Sequence, residues 1–405
     1  MNDTQRRVIA AIDESRLVQL LQDMVRHKSY SNSSGEGELA EWLARYMQPH
    51  GLEVVHQRVE SGRLNTIARL CGAGGGTSLM LNGHIDTNMV GLDWTRDPWG
   101  GEVEGGFVYG IGVSNMKAAD AAMIEAACAL QESGVRLRGD LIVALVVGEL
   151  QGGVGTVHMI ESGIRADRFI VGEPTDLALL TMHAGSFEAE ISVHGRTRHL
   201  SKMEEAVNAV EKACEVIGAL KGLGFSGADR PEYRGLQRCN VGSIRGGVGR
   251  EYLDWRTPSV PDYCTIKIAG RIAPGQTPQS ALEDICGMLE RVAAHDPTVK
   301  AEARLVESTQ RIYMPPFEIA VDHPFVREAE AIYQTLTNRT ARVGDVAPYK
   351  FYGTDAAHLA SKAAMTGFVC GPGGKYNTMP DERVEVNDVI AAAKFYALMA
   401  LQTCA

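Results

Sequence analysis

A histidine and an aspartate two residues apart, in Gly83-His84-Ile85-Asp86-Thr87, directly follow the apolar run Ser78-Leu79-Met80-Leu81-Asn82. Side chains two apart on an extended segment share a face. A histidine that binds a metal usually has its second ring nitrogen held by a carboxylate or a carbonyl. Two more acids end apolar runs in the same way. Glu149 follows residues 141–147 and precedes Gly152-Gly153-Val154-Gly155, whose glycines would let backbone approach a ligand. Glu173 lies in Val171-Gly172-Glu173-Pro174-Thr175, where the proline stops the strand. Each signal alone has an ordinary explanation: a hydrogen-bonded pair, a solvated glutamate, a loop salt bridge. Together they supply a ligand and proton-transfer carboxylates at strand ends, where the sites of open α/β sheets are built.

Such residues need a scaffold to converge. Leu17, Leu20, Leu21 and Val25 recur at helical spacing within residues 12–50, and a second helix is predicted over 39–47, with a polar loop at 29–37 between them. Short apolar runs at 52–55, 66–70, 79–81, 141–147 and 169–171 predict strands, and an Ala-, Met- and Ile-rich stretch predicts a helix over 117–131. This alternation implies an α/β domain, a mixed sheet sandwiched by helices. From residue 187 the pattern changes to a strand at 188–193, a helix at 204–220, a loop rich in Gly, Arg and Pro, a strand at 263–269, a helix at 278–294 and a strand at 300–306. That succession predicts a small inserted α+β domain. A helix near 323–337, a strand at 367–369 and a helix over 389–403 complete the first domain, so the expected division is 1–186 and 309–405 around an insertion at 187–308.

The chain of 405 residues is 45% hydrophobic and 22% charged, long enough for two folded domains. Forty Lys and Arg against fifty Asp and Glu give a net charge of -10, which disfavours nucleic acid and anionic membranes as partners. The N-terminal residues are polar and no 18-residue apolar run follows, so a cytoplasmic protein is expected. Eight cysteines without CxxC spacing predict free thiols rather than a zinc knuckle or a disulfide framework.

The order of these motifs resembles the M20 metallopeptidase family, the group of acetylornithine deacetylase, succinyl-diaminopimelate desuccinylase, aminoacylase-1 and carboxypeptidase G2. The resemblance extends over nearly the whole chain. It includes residues 94–105, similar to the family's W-x-x-x-P-F-x-G stretch, and Arg271-Ile272-Ala273-Pro274-Gly275-Gln276, similar to its R-x-x-P-G-Q. Gly353-Thr354-Asp355-Ala356 and Gly371-Pro372-Gly373 add to it. The resemblance implies a zinc-binding catalytic domain with an inserted lid through which members often form homodimers. Their dinuclear cage uses a His in HxD, a bridging Asp before Met-Lys, the second Glu of a pair, a later Asp or Glu, and a C-terminal His. His84 and Glu173 match the first and fourth ligands. The bridging Asp falls on Asn115, the paired Glu on Leu150 and the C-terminal His on Thr378. Asn115 offers only a weak neutral oxygen and Leu150 offers none. The implied metal complement is therefore none, or a single zinc ion at His84, Glu173 and Asn115, and a two-metal site is not expected.

The remaining implied roles are intact. Glu149 holds the position of the family's general base, beside Asp86. His199, in Arg196-Thr197-Arg198-His199-Leu200-Ser201, matches a lid His that stabilises the oxyanion, and Arg271 a lid Arg that pairs with a substrate carboxylate. Asn240, His183, Gly353 and Thr378 are expected to face substrate, with Lys117 or Thr378 as further carbonyl-polarising groups. The expectation is a deacylase or amidohydrolase acting on the amide or related C–N bond of a small anionic, N-acyl amino acid-like compound. Two alternatives stand beside it: a non-catalytic binding or regulatory protein on the same fold, and a metal-free lyase, isomerase or transferase.

Overall fold

The computed structural model describes residues 1–405 other than 61, 254–256 and 307–311. The expected domain junction at 308/309 and residues 254–256 of the expected Gly-, Arg- and Pro-rich loop lie outside the described residues. The chain divides into two compact units: residues 1–182, 310–350 and 354–405 form the first, and residues 183–309 with 351–353 form the second.

In chain order the first unit opens with α1 (Asp3–Ala10), α2 (Glu14–Arg26) and α3 (Ser34–Met47). Asp13 caps α2 by accepting the N–H groups of Ser15 and Arg16, and the helix buries Leu17, Leu20, Leu21, Met24 and Val25 along one stripe. Then follow β1 (Glu53–Glu60), β2 (Arg63–Leu70), β3 (Leu79–His84), β4 (Val103–Glu104), β5 (Phe107–Tyr109), α4 (Ala118–Glu132), β6 (Leu141–Val146), α5 (Val154–Glu161), β7 (Arg168–Val171), β8 (Leu179–Leu180) and β9 (Met182–His183). The second unit contributes β10 (Gly185–His194), α6 (Ala209–Leu220), β11 (Arg238–Gly247), β12 (Tyr263–Ile272), α7 (Pro278–His295) and β13 (Lys300–Leu305). The chain closes with β14 (Phe317–Glu318), α8 (Pro324–Thr337), β15 (Val343–Gly344), α9 (Ala356–Ala363), β16 (Thr366–Val369), β17 (Arg383–Glu385) and α10 (Val386–Thr403).

The first unit is built on an eight-stranded mixed sheet of order β1-β2-β6-β3-β7-β16-β8-β15, flanked by helices. Its centre, β6-β3-β7-β16, is parallel, and β2 joins β6 antiparallel. Every residue of β3 and β6 is buried, as expected for strands covered on both faces. Helix α4 packs against α2 and α10 and is buried over nearly its full length, which its alanines permit at short interaxial distance.

The second unit is a four-stranded antiparallel sheet of order β11-β12-β10-β13 with α6 and α7 packed on it. Strand β11 falls in the stretch expected to be a loop. Its run of Gly and Arg lacks alternation, and pairing with β12 through a shift between Val241 and Ser243 imposes the extended form instead. The helix expected over 204–220 begins at Ala209, because Asn208 caps it by accepting from Val210 and Glu211. Among the described residues, no helix is long and apolar enough to cross a membrane.

Candidate active site

Three adjacent parallel strands deliver three side chains to one place. His84 is the last residue of β3, opposite Val146 of β6, and Glu149 follows Val146 by one short turn. Asn82 pairs with Val171 of β7, so Glu173 stands level with His84. One ligand atom from each of His84, Glu149 and Glu173 lies within 4.8 Å of the other two, and all three residues are buried. Among the described residues this is the one group of three His, Cys, Asp or Glu side chains so disposed.

Asp86 braces the group. His84 Nδ1 lies 2.9 Å from the Asp86 carbonyl and 3.3 Å from Asp86 Oδ1. The Asp86 carboxylate also accepts the N–H of Glu149 at 3.1 Å and of Leu150 at 3.3 Å. One buried aspartate thus fixes both the imidazole and the turn carrying Glu149. On the opposite edge of the ring, His84 Nε2 is 3.1 Å from Asn115 Oδ1 and 3.5 Å from Glu173 Oε1. A ring nitrogen facing two oxygens in this way needs a cation among them, either a proton on the nitrogen or a metal ion.

The electrostatics follow from burial and crowding of like charge. Burial pulls the His84 imidazole down, but the hydrogen bond to Asp86 and the charges of Glu173, Asp86 and Glu149 outweigh it and hold the ring well above its ordinary range. Burial pushes Asp86 up, yet His84 and the backbone donors hold it below the usual carboxylate value. Burial and the Glu173 charge raise Glu149 well above an ordinary glutamate. Glu173 is pushed up to about 7, mainly by burial.

Asn115 sits half-buried on the irregular turn Val113–Lys117, which Glu382 holds by accepting the N–H of Ser114 at 2.8 Å and of Asn115 at 3.1 Å. Leu150 is half-buried. Thr378 is exposed and its hydroxyl donates to Asn377. The expectation that Lys117 polarises a carbonyl is corrected. Its ammonium is fully buried and donates to the carbonyls of Met24 and His27 at 2.9 Å each, closing the end of α2, and burial lowers it to about 7.

The other expected site residues belong to the second unit. His199 is exposed and caps a short 3₁₀ turn, its Nδ1 accepting from Ser201. Asn240 is exposed on β11, and Arg271, on β12, donates from Nε to the Phe351 carbonyl at 2.9 Å. Gly353, with Phe351 and Tyr352, belongs to this unit as well. His183 is buried with Nδ1 3.0 Å from the Ala184 carbonyl.

Two buried acids escaped the sequence reading as site residues. Asp355 accepts from Thr156 at 2.8 Å through one oxygen while the other finds no partner, and burial raises it to about 6. Asp120 has neither oxygen partnered and lies directly behind β3, where a Cβ on Gly83 would overlap its Oδ1. A lone acid within Ala118-Ala119-Asp120-Ala121-Ala122-Met123, an otherwise apolar helical run, was the signal available.

Residues 80–402 match the model of peptidase family M20/M25/M40. The N-formyl-4-amino-5-aminomethyl-2-methylpyrimidine deformylase of Bacillus subtilis is 25% identical over 96% of this chain and 95% of its own length. The acetylornithine deacetylase of Vibrio atlanticus is 27% identical over 77% of this chain and 80% of its own. Among solved structures, aminopeptidase PepT from Bacillus cereus superposes with a TM-score of 0.79 at 19% identity, covering 98% of this chain and all (100%) of that one. A dinuclear metal-binding M20 peptidase from Bacillus subtilis does so with a TM-score of 0.72 at 16% identity, over 96% and 98%. With a family model spanning most of the sequence and strand ends that gather His84, Glu149 and Glu173, the chain belongs to peptidase family M20/M25/M40 and is a hydrolase of amide-like bonds.

Proposed function

We propose that this chain hydrolyses the amide or related C–N bond of a small carboxylate-bearing compound, an N-acyl amino acid or a close analogue, using Glu149 for proton transfer and at most one divalent ion. The observation that carries the reading is the convergence of His84, Glu149 and Glu173 with His84 braced by Asp86. An imidazole nitrogen, a carboxylate and an amide oxygen suit one zinc-like ion, which His84, Glu173 and Asn115 would hold. A second ion would need a bridging carboxylate, and the residues there are neutral Asn115, apolar Leu150 and exposed Thr378. A bound ion would polarise the scissile carbonyl and acidify water.

The protein's own groups do the rest. Asp86 keeps Nδ1–H of His84 hydrogen bonded and so orients Nε2 toward Asn115 and Glu173. Glu149, whose carboxyl burial raises, takes a proton from water and returns it to the leaving amine. His199 is assigned to the developing oxyanion, Arg271 to the substrate carboxylate, which suits its planar fork, and Asn240, His183, Gly353 and Thr378 to further substrate contacts. These assignments are supported by the motif matches. So is a homodimer formed through the inserted unit, and a cytoplasmic location is proposed with it. A deformylase and a deacetylase among the relatives favour a small acyl group.

The test is a panel of N-formyl, N-acetyl and N-succinyl amino acids assayed with chelated protein and again as zinc is titrated in. Activity is expected to be maximal by one equivalent, with one ion per chain by elemental analysis. A requirement for two equivalents, or no turnover of any N-acyl compound at any zinc level, overturns the proposal.

A further inference from the structure

We propose that Arg63 and Asn65 are positioning residues for the turn that carries Glu149, an inference that rests on the proton-transfer role given to Glu149 above. The segment from Val147 to Gly155 holds glycines at 148, 152, 153 and 155, the first three with φ of 70°, 88° and 88°. Such a stretch has large conformational freedom when unfolded and little intrinsic preference for one path. Its internal hydrogen bonds, from Gly152 N–H to the Glu149 carbonyl at 2.7 Å and from Gly155 N–H to the Val147 carbonyl at 3.0 Å, curl the chain without fixing where it points.

The direction is set from β2. The antiparallel ladder between β2 and β6 ends at Thr66 opposite Leu145, and beyond it two side chains of β2 continue the contact. Arg63 and Asn65 are two apart on a strand and so share a face. Asn65 Oδ1 accepts the N–H of Val147 at 3.1 Å while its Nδ2 donates to the Gly155 carbonyl at 2.9 Å, so one amide pins both ends of the segment. Arg63 Nη1 donates to Gln151 Oε1 at 2.7 Å, within the turn itself. The guanidinium lies so close that a Cβ on Gly148 would stand 2.6 Å from its Nη2.

Arg63 is itself held by Glu36, with Nε to Oε2 at 2.7 Å and Nη2 to Oε1 at 2.8 Å. Arg63 is 4% exposed, Glu36 0% and Asn65 0%. A buried ion pair gains little net stability over apolar residues of similar volume, since desolvation offsets the attraction. What it does supply is a fixed direction for the third guanidinium nitrogen, and that nitrogen holds the turn. Asp86 grips the turn through the N–H groups of Glu149 and Leu150, and Arg63 and Asn65 grip it at Gln151 and at its two ends.

The experiment compares Gln151→Met with Gln151→Glu, side chains of similar size of which only the second can accept from Arg63. The double variant Arg63→Met/Glu36→Leu is run beside them, since it leaves no orphaned buried charge. Amide hydrogen exchange over residues 148–155 is expected to speed by about tenfold or more in Gln151→Met and in the double variant, and to stay near wild type in Gln151→Glu. On the best substrate, kcat should fall about 10–100-fold in the first two, with KM within about threefold, and Gln151→Glu should restore it. Wild-type exchange in Gln151→Met and in the double variant overturns the inference. Glu149→Gln is assayed in parallel to separate the two claims. If it keeps turnover the acid–base reading falls, while the exchange rates still judge the positioning by themselves.

Discussion

On one side of the site, His84, Asp86, Glu149 and Glu173 are all buried, and His84 and Asp86 are held by hydrogen bonds and opposite charge. On the other side stand a half-buried asparagine, a half-buried leucine and an exposed threonine whose hydroxyl turns to its own neighbour. The first side holds its charges together with the groups that fix them, whereas these three residues of the second offer no carboxylate, which is why the proposal gives the site at most one ion. The two sides differ in electrostatic capacity rather than in order, because the neighbouring Glu382 holds the Asn115 turn in place.

The largest effect that would break this contrast is at Glu149. Glu149→Gln keeps size and the backbone contacts to Asp86 but cannot shuttle a proton, so kcat is expected to fall about 10²–10⁴-fold with Tm nearly unchanged. Wild-type turnover from the glutamine variant would mean the braced side is not where proton transfer occurs. Asp86→Ala should act on structure as well. It strips the acceptor from the N–H groups of Glu149 and Leu150 and the carboxylate from beside the imidazole, which keeps only the residue 86 carbonyl, and a loss of about 2–4 kcal/mol in denaturant stability is expected together with turnover. A stable, active variant would show that the brace is dispensable.

The depleted side is tested by rebuilding it. Asn115→Asp, Leu150→Glu and Thr378→His together restore two carboxylates and an imidazole, and zinc stoichiometry by elemental analysis should rise from one to two per chain. The single Asn115→Asp change should raise affinity at the first position by about tenfold in calorimetry, as an anionic donor replaces a neutral one. A triple variant that still holds one ion would mean that something other than missing donors limits the site.

How much of this was legible in the sequence depended on whether a residue acts locally. His84, Asp86, Glu149 and Glu173 stand at strand ends and could be found by position, since the apolar runs before them mark the strands. Six strands of the eight-stranded sheet and its flanking helices were legible for the same reason, whereas β8 and β15, two residues each, are too short to leave a pattern. Strand β11 was not, because its extended form is imposed by β12 across the sheet rather than by its own residues. Arg63 and Asn65 escaped notice because their partners, Gln151, Val147 and Gly155, are more than eighty residues away, a distance no spacing rule spans. Lys117 was misjudged for a related reason: the carbonyls of Met24 and His27 that occupy it belong to another helix.

The smallest predicted effect is a control for the raised acids of the site. Asp388 stands in the first turn of α10, where burial, with Glu385 and Asp176 adding to it, pushes its carboxyl up to about 6 from an ordinary 3.8. Between those values the folded chain keeps a proton that the unfolded chain has lost, so this residue's contribution to stability is greatest below about pH 4, declines as pH rises toward 6, and stays at its low level above. Asp388→Asn removes that dependence. Relative to wild type it should match at pH 4 and gain at pH 7.5 by about 1 kcal/mol, the shift being discounted for a side chain that solvent still reaches. A helix N-terminus favours an anion, so destabilisation at pH 7.5 would show the dipole outweighing burial. A gain would show that burial among like charges raises an acid here without any catalytic neighbour, in which case what sets Glu149 and Glu173 apart is the imidazole they converge on.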